Sequence, residues 1–188
     1  MGLWGKGTRA VQSVLFETAI GTCGLVWGPA GIAAVALPER APQATAAHLA
    51  RRMPHARPAD PSPEIKQVIA RIQGLMTGKG DDLADIVLDF GQASDFQRAA
   101  YGLVRAIPPG ETRTYGEVAR ALGDPMSARA VGEAMGRNPC PIIMPCHRVL
   151  GADGKVGGFS APGGAATKLK MLEIEGAISV DRLPLFDR

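Results

Sequence analysis

Three prolines, Pro139, Pro141 and Pro145, fall within seven residues just ahead of Cys146. Each fixes φ at about −65° and removes a backbone donor, so neither a regular helix nor a central strand can run through this stretch. The segment Asn138–Leu150 is therefore expected to be a stiff, irregular turn that ends in Cys146, His147 and Arg148. Thiolate is the nucleophilic form of cysteine, and adjacent cations lower a thiol pKa, so this setting makes Cys146 a candidate nucleophile. A buried structural cysteine fits the same residue type. Adjacent residues of an extended chain point to opposite sides, so His147 need not touch Cys146 directly; a bridging water would serve.

The rest of the chain reads as two halves that separate near Gly91. In the first, Val14–Thr18, Leu25–Trp27 and Ile32–Leu37 have strand character, with a turn at Gly28–Gly31. A short helix over Thr45–Arg52 leads into a proline-rich loop, Pro54–Pro63. Ser62 and Pro63 supply an N-cap and a first helical residue. Ile65, Val68, Ile69, Ile72, Leu75 and Met76 then share one helical stripe as far as Gly78. Ile86–Phe90 reads as a last strand. No chemistry-bearing cluster stands out in this half.

The second half reads as helical. Ser94 with Gln97 has capping-box form, and Phe96, Ala100, Leu103 and Ile107 make an apolar stripe that Pro108-Pro109-Gly110 stops. Thr114 with Glu117 opens another helix, which ends at Gly123. Asp124-Pro125-Met126 turns the chain, and Ser127 is expected to cap a third helix running to about Arg137. Two short helices joined this way form a helix-turn-helix candidate, although plain packing gives the same pattern. The third helix carries Ala128, Ala130, Gly132, Ala134 and Gly136, which leave much of its surface bare. Each internal glycine costs about 1 kcal/mol relative to alanine. A bare helix suits close approach to another helix, or to a minor groove with Arg129 reaching past it.

Net charge is only +3 over 188 residues, and Arg98–Arg148 holds seven arginines, no lysine and four acids. If nucleic acid is the partner, charge is not the main grip. Cys23, Cys140 and Cys146 make no disulfide framework, and no Cys or His pair has metal-finger spacing. The basic stretch Met1–Arg9 is followed by Gln12, Ser13 and Glu17 rather than a signal-peptide core, and no apolar run approaches a membrane span. A cytoplasmic protein without a membrane partner is expected.

Pro145-Cys146-His147-Arg148-Val149 resembles the active-site signature of the O6-alkylguanine-DNA alkyltransferases, also called methylated-DNA–protein-cysteine methyltransferases. Gly110–Ala119 is similar to that family's lead into its helix-turn-helix, and Ala128–Gly132 to the start of its recognition helix. Asn138-Pro139 resembles its hinge, Gly157–Ser160 its pocket loop, and Leu172 through Glu175-Gly176 its closing helix. The likeness keeps the family's order over about residues 94–176. It implies an α/β (α+β) fold: a small N-terminal RNase H-like α/β domain, residues 1–91, then a mainly helical DNA-binding domain with helix-turn-helix, residues 92–188.

The resemblance also implies roles. Cys146 would attack the alkyl carbon, with guanine as leaving group. His147 would take the thiol proton through a water, Glu175 would orient the imidazole, and Asn138 would brace the turn. Tyr115 would donate a proton toward guanine N3 and press on a phosphate. Arg129 would fill the gap left by the flipped base, with Gln97, Gly132 and Arg148 as further DNA contacts. Val149, Phe159 and Ser160 would form the base pocket, the Cys146 and Val149 carbonyls accepting from the exocyclic amine.

No cofactor or metal is implied. The partner would be double-stranded DNA carrying O6-alkylguanine, or O4-alkylthymine, acted on by a monomer that needs no protein partner and turns over once. Departures from the family pattern are a pocket loop lengthened by about two residues around Ala161–Gly164 and Phe159 in place of a common tyrosine. Alternatives are a lesion sensor without transfer activity, a cysteine hydrolase and a transcription regulator. Sensors of this family lack the cysteine, hydrolases need a separate oxyanion hole, and its regulators carry a cysteine-rich metal domain that is missing here.

Overall fold

The computed structural model describes residues 11–156 and 159–178; the expectations for Met1–Arg9, Gly157 and Gly158 lie outside them. Strands β1 (Gln12–Thr18), β2 (Gly21–Gly28) and β3 (Gly31–Ala36) form an antiparallel meander. Gly31 has φ +123°, and a Cβ there would lie 2.5 Å from the Val87 carbonyl oxygen, so only glycine fits the second turn.

One extra residue, Ala33, bulges from β3 where the register shifts opposite Val26 and Trp27. The bulge changes which β3 residues face the open edge. Ahead of it, Ile32 donates to the Val87 carbonyl at 2.9 Å and accepts from Asp89 at 2.8 Å; beyond it, Val35 donates to the Pro139 carbonyl at 2.9 Å. The expected strand Ile86–Phe90 therefore shrinks to a single parallel bridge, Ile32 to Leu88, because the edge passes to Pro139. The fourth strand is instead β4 (Arg57–Pro58), inside the proline-rich loop and parallel to β1, giving the order β3-β2-β1-β4.

Helix α1 (Pro42–Arg52) starts three residues earlier than expected, because Pro42 supplies a preset first turn. Helix α2 (Pro63–Leu75) begins at the expected cap, with Ser62 Oγ accepting from the Ile65 N–H at 3.4 Å. α2 buries Ile69, Ile72 and Leu75 against Phe16, Cys23 and Leu25, each contributing about 1.5–3 kcal/mol. On the other side Leu49 of α1 packs on Val26, Ala34 and Ala36. The first core is not closed by the first half alone: Cys140, Ile142, Ile143 and Met171 also belong to it.

The second half holds α3 (Asp95–Arg105), β5 (Arg113–Thr114), α4 (Tyr115–Ala121), α5 (Ala128–Gly136), β6 (Val149–Leu150) and α6 (Gly164–Ile174). Both expected capping boxes are present, Ser94 with Gln97 and Thr114 with Glu117. The apolar face of α3 differs from the expected stripe. Ala100, Tyr101, Val104 and Ile107 are buried, while Phe96 and Leu103 are each 36% exposed. Tyr101 turns the helix this way: its ring packs on Phe90 with centroids 4.9 Å apart, and its hydroxyl donates to the Ala134 carbonyl at 3.1 Å.

Between α4 and α5 a 3₁₀ turn, Pro125–Ser127, replaces the expected cap. Asp124 accepts from the Met126 N–H, and Ser127 donates back to the Asp124 carbonyl rather than capping α5. Parallel pairing of β5 with β6 sets Arg113 against Val149 and Thr114 against Leu150. That short ladder brings Tyr115, the first residue of α4, beside the turn that carries Cys146.

Candidate active site

The proline-rich segment folds as a tight loop in which the Met144 N–H donates to the Cys140 carbonyl at 2.8 Å. Ile142 sits within it at φ +75°, a left-handed conformation unusual for a β-branched residue, and is almost fully buried. A 3₁₀ turn, Cys146–Arg148, follows. Asn138 organises this loop. Its Nδ2 donates to the Met144 carbonyl at 2.8 Å and to Cys146 Sγ at 3.1 Å, and its Oδ1 accepts from the Cys140 N–H at 2.9 Å.

Cys146 is 6% exposed. Burial pushes its thiol pKa up, and the Asn138 donor and the nearby Lys168 ammonium oppose that rise. The sequence expectation of a thiol activated by adjoining cations is corrected here, because Arg148 does not face the sulfur. It is fully buried and forks onto Glu175, Nε to Oε2 at 2.8 Å and Nη2 to Oε1 at 2.8 Å, with Nη1 on the Ile107 carbonyl at 2.6 Å. All of its terminal donors are turned inward, so the DNA contact expected of it gives way to a structural ion pair.

His147 is also fully buried, with Nε2 3.0 Å from Glu175 Oε1. Burial lowers the imidazole pKa and Glu175 partly restores it, so His147 is neutral near pH 7. Burial works to raise the Glu175 carboxyl, but the hydrogen bonds from Arg148 and His147 prevail and hold it at about 2. A proton shared with an ionised carboxylate belongs on Nε2, which leaves the Nδ1 lone pair as acceptor. Among the described residues Nδ1 has no protein partner. The array is thus a thiol held by an amide, a neutral imidazole with a free lone pair, and a carboxylate fixed by arginine.

The thiol opens onto a concave site of 330 Å³ walled by Tyr115, Gly132, Met135, Gly136, Phe159 and Ser160. The Tyr115 ring stands over Gly132, where an added Cβ would meet it in ordinary contact at 3.9 Å. Burial, and then Cys146, raise the Tyr115 phenol pKa, so the ring keeps its proton near neutral pH. Ser160 Oγ donates to the Gly136 carbonyl at 3.3 Å. Arg129, second in α5, is 94% exposed and meets only Glu133 among the described residues, at 3.5 Å. Gln97 spends its Oε1 on the cap of α3, accepting from the Ser94 N–H at 2.9 Å.

Lys168 was not singled out by sequence reasoning. It is fully buried, donates to the Val149 carbonyl at 2.6 Å and lies 5.8 Å from the Tyr115 ring centroid. Burial lowers its pKa, and Cys146 works to raise it. The Val149 carbonyl, expected to face a base, thus has one lone pair already engaged. Lys168 and Lys170 look alike in sequence, and nothing but the fold separates the buried one from its neighbour.

Fold and site together define a class: a small α/β protein with one buried thiol–imidazole–carboxylate array behind a pocket walled by a helix pair. The family described as "6-O-methylguanine DNA methyltransferase, DNA binding domain" matches residues 95–177. The methylated-DNA–protein-cysteine methyltransferase of Methanothermobacter thermautotrophicus is 38% identical over 154 residues, covering 81% of this chain and 78% of that protein. A crystal structure of the Mycobacterium tuberculosis O6-methylguanine methyltransferase superposes with TM-score 0.71 at 32% identity, covering 94% of this chain and 99% of the other. The M. tuberculosis OGT structure in complex with DNA gives TM-score 0.71 at 31% identity, covering 88% of this chain and 93% of that one. The chain belongs to the methylated-DNA–protein-cysteine methyltransferase family.

Proposed function

We propose that this protein repairs DNA by moving the alkyl group of O6-alkylguanine, and of O4-alkylthymine, onto Cys146. The observation that carries the reading is a pair of polar contact chains, Asn138 to Cys146 Sγ and His147 through Glu175 to Arg148, that meet at adjacent residues of the turn where the thiol opens on a pocket. His147 Nδ1 takes the thiol proton through a water, and Glu175 stabilises the imidazolium that forms. The Asn138 amide and the Lys168 charge favour the thiolate. The thiolate forms a bond to the alkyl carbon while the C–O6 bond breaks, and the electron pair leaves on guanine. Tyr115 supplies a proton toward N3 of the departing base.

The target base must leave the duplex to reach this pocket, at a cost of a few kcal/mol that damage reduces. The pair α4 and α5 then acts as a helix-turn-helix, with the bare face around Gly132 in the minor groove and Arg129 filling the space left by the base. Gln97 Nε2 and Tyr115 lie toward the phosphates. Residues 1–91 and 92–188 act as two domains of a cytoplasmic monomer that uses no cofactor. The thioether is stable, so each molecule reacts once.

The test is the intact mass after incubation with duplex DNA containing O6-methylguanine, beside Cys146→Ser. One methyl per protein, absent from the variant, is expected. Tight lesion binding with an unchanged mass would make the protein a damage sensor instead.

A further inference from the structure

A second opening leads away from Cys146, past the end of α5 toward the first half of the chain. This cleft of 280 Å³ shares Met135, Gly136, Cys146, Phe159 and Ser160 with the base pocket, and then runs between Pro141 and the end of β3 to His48 and Arg52 of α1. The thiol therefore stands at a junction of two spaces. A base in the first presents its O6 substituent at the sulfur. An alkyl group longer than methyl projects its remainder sideways from the carbon under attack, and the cleft is the space that adjoins that position.

Its far end is polar. Arg52 Nη2 donates to the Asn138 carbonyl in a long contact of 3.4 Å, and its Nε and Nη1 have no protein partner among the described residues. No carboxylate pairs with Arg52 among those residues, whereas His48 is already engaged by Glu39 at 3.2 Å. Arg52 also acts electrostatically on the Cys140 thiol, which directly follows Asn138-Pro139. Arg52 is an exposed residue, and a guanidinium with unused donors at the rim of this cleft matches a small carboxylate in both charge and shape.

We propose that this cleft receives the distal end of extended O6 substituents, and that Arg52 selects those ending in a carboxylate, with O6-carboxymethylguanine the simplest case. The proposal rests on the alkyl-transfer reading above. The Cys146 thiolate attacks the CH2 carbon, S–C forms as C–O6 breaks, the electron pair leaves on guanine, and the carboxylate stays on the transferred group. The product is S-carboxymethylcysteine, with its carboxylate still at Arg52. This gives the first half a part in specificity, through α1 and the end of β3.

The test compares single-turnover transfer from duplexes carrying O6-methyl-, O6-carboxymethyl- and the neutral O6-carboxamidomethylguanine, followed by intact mass. Arg52→Met should lower the carboxymethyl-to-methyl rate ratio by about threefold to tenfold, the range for a charge-assisted contact still partly open to water. The carboxamidomethyl-to-methyl ratio should hold, and Arg52→Lys should recover most of the loss. Equal slowing on all three duplexes would mean that Arg52 acts only by bracing Asn138, and unchanged ratios would mean that the cleft does not read charge; either overturns the proposal. Failure of wild-type protein to take methyl from the first duplex would instead overturn the alkyl-transfer reading itself.

Discussion

Replacing Glu175 by glutamine removes one charge and little volume. In the native protein three donors converge on the carboxylate, from Arg148 Nε at 2.8 Å, Arg148 Nη2 at 2.8 Å and His147 Nε2 at 3.0 Å. An amide offers a single oxygen, so one arginine donor would face an NH2 group inside the protein. Two routes give the cost. The carboxyl falls from an ordinary 4.5 to about 2, and a fall of roughly 2.5 at about 1.4 kcal/mol per pH unit is about 3 kcal/mol of folding free energy at pH 7. Removing one partner of a buried ion pair costs about 3–5 kcal/mol by comparison with other proteins. The two agree. For a chain of this size the Tm should drop by about 6–12 °C.

The pH dependence carries the sign. A depressed carboxyl stabilises the fold above its unfolded pKa, and that stability is lost as pH falls from 4.5 through about 2. Wild-type protein and Glu175→Gln should therefore differ most near neutrality and converge toward pH 2, as followed by urea unfolding across that range. A variant within about 1 kcal/mol of wild type at pH 7, below the range for broken buried pairs, would refute the reasoning. So would a gap that persists undiminished in acid.

Further outcomes follow from the same geometry. Lys168→Met should raise the thiol pKa of Cys146, since the lysine charge works to lower it. The thiolate fraction falls about tenfold for each pH unit of that rise, so alkyl transfer slows and the pH profile of Cys146 labelling moves upward. Burial pushes the Cys23 and Cys140 thiols up to about 12. Cys146 is also raised by burial, but it alone of the three lines the 330 Å³ pocket while Cys23 and Cys140 have no exposed surface, so native protein should take up one iodoacetamide, at Cys146, and all three cysteines should react only after unfolding.

Where sequence and structure agree, the cause is local chemistry. Ser62, Ser94 and Thr114 cap helices because a short oxygen-bearing side chain meets a free N–H three residues on. The stiffness ahead of Cys146 follows from proline geometry, although the left-handed Ile142 inside it has no sequence signal. What was not legible depends on distant partners. The face of α3 was misjudged because Tyr101 finds its hydroxyl partner on α5. The last expected strand was lost because a one-residue bulge handed the edge of β3 to Pro139. Arg148 reads as a surface cation until Glu175, 27 residues away, is seen to hold it. Cys146 and His147 were legible because they lie side by side on one stiff turn, whereas Asn138 and Glu175 came only with the family resemblance; Lys168 was not legible, because its burial is decided by Val149 and Tyr115.

The first hydrophobic core borrows Cys140, Ile142, Ile143 and Met171 from late in the chain. During synthesis the sheet, α1 and α2 emerge from the ribosome well before those side chains exist. Until they arrive, the edge of β3 also lacks the carbonyl of Pro139 that Val35 pairs with. The nascent first half must therefore wait with apolar surface uncovered, and the segment that covers it is the same loop that aims the thiol. Closing the core and setting Cys146 in place are one folding event. A chain interrupted before residue 138 would lack both, and severing the protein near Gly91 would strand an unmatched apolar face on each piece.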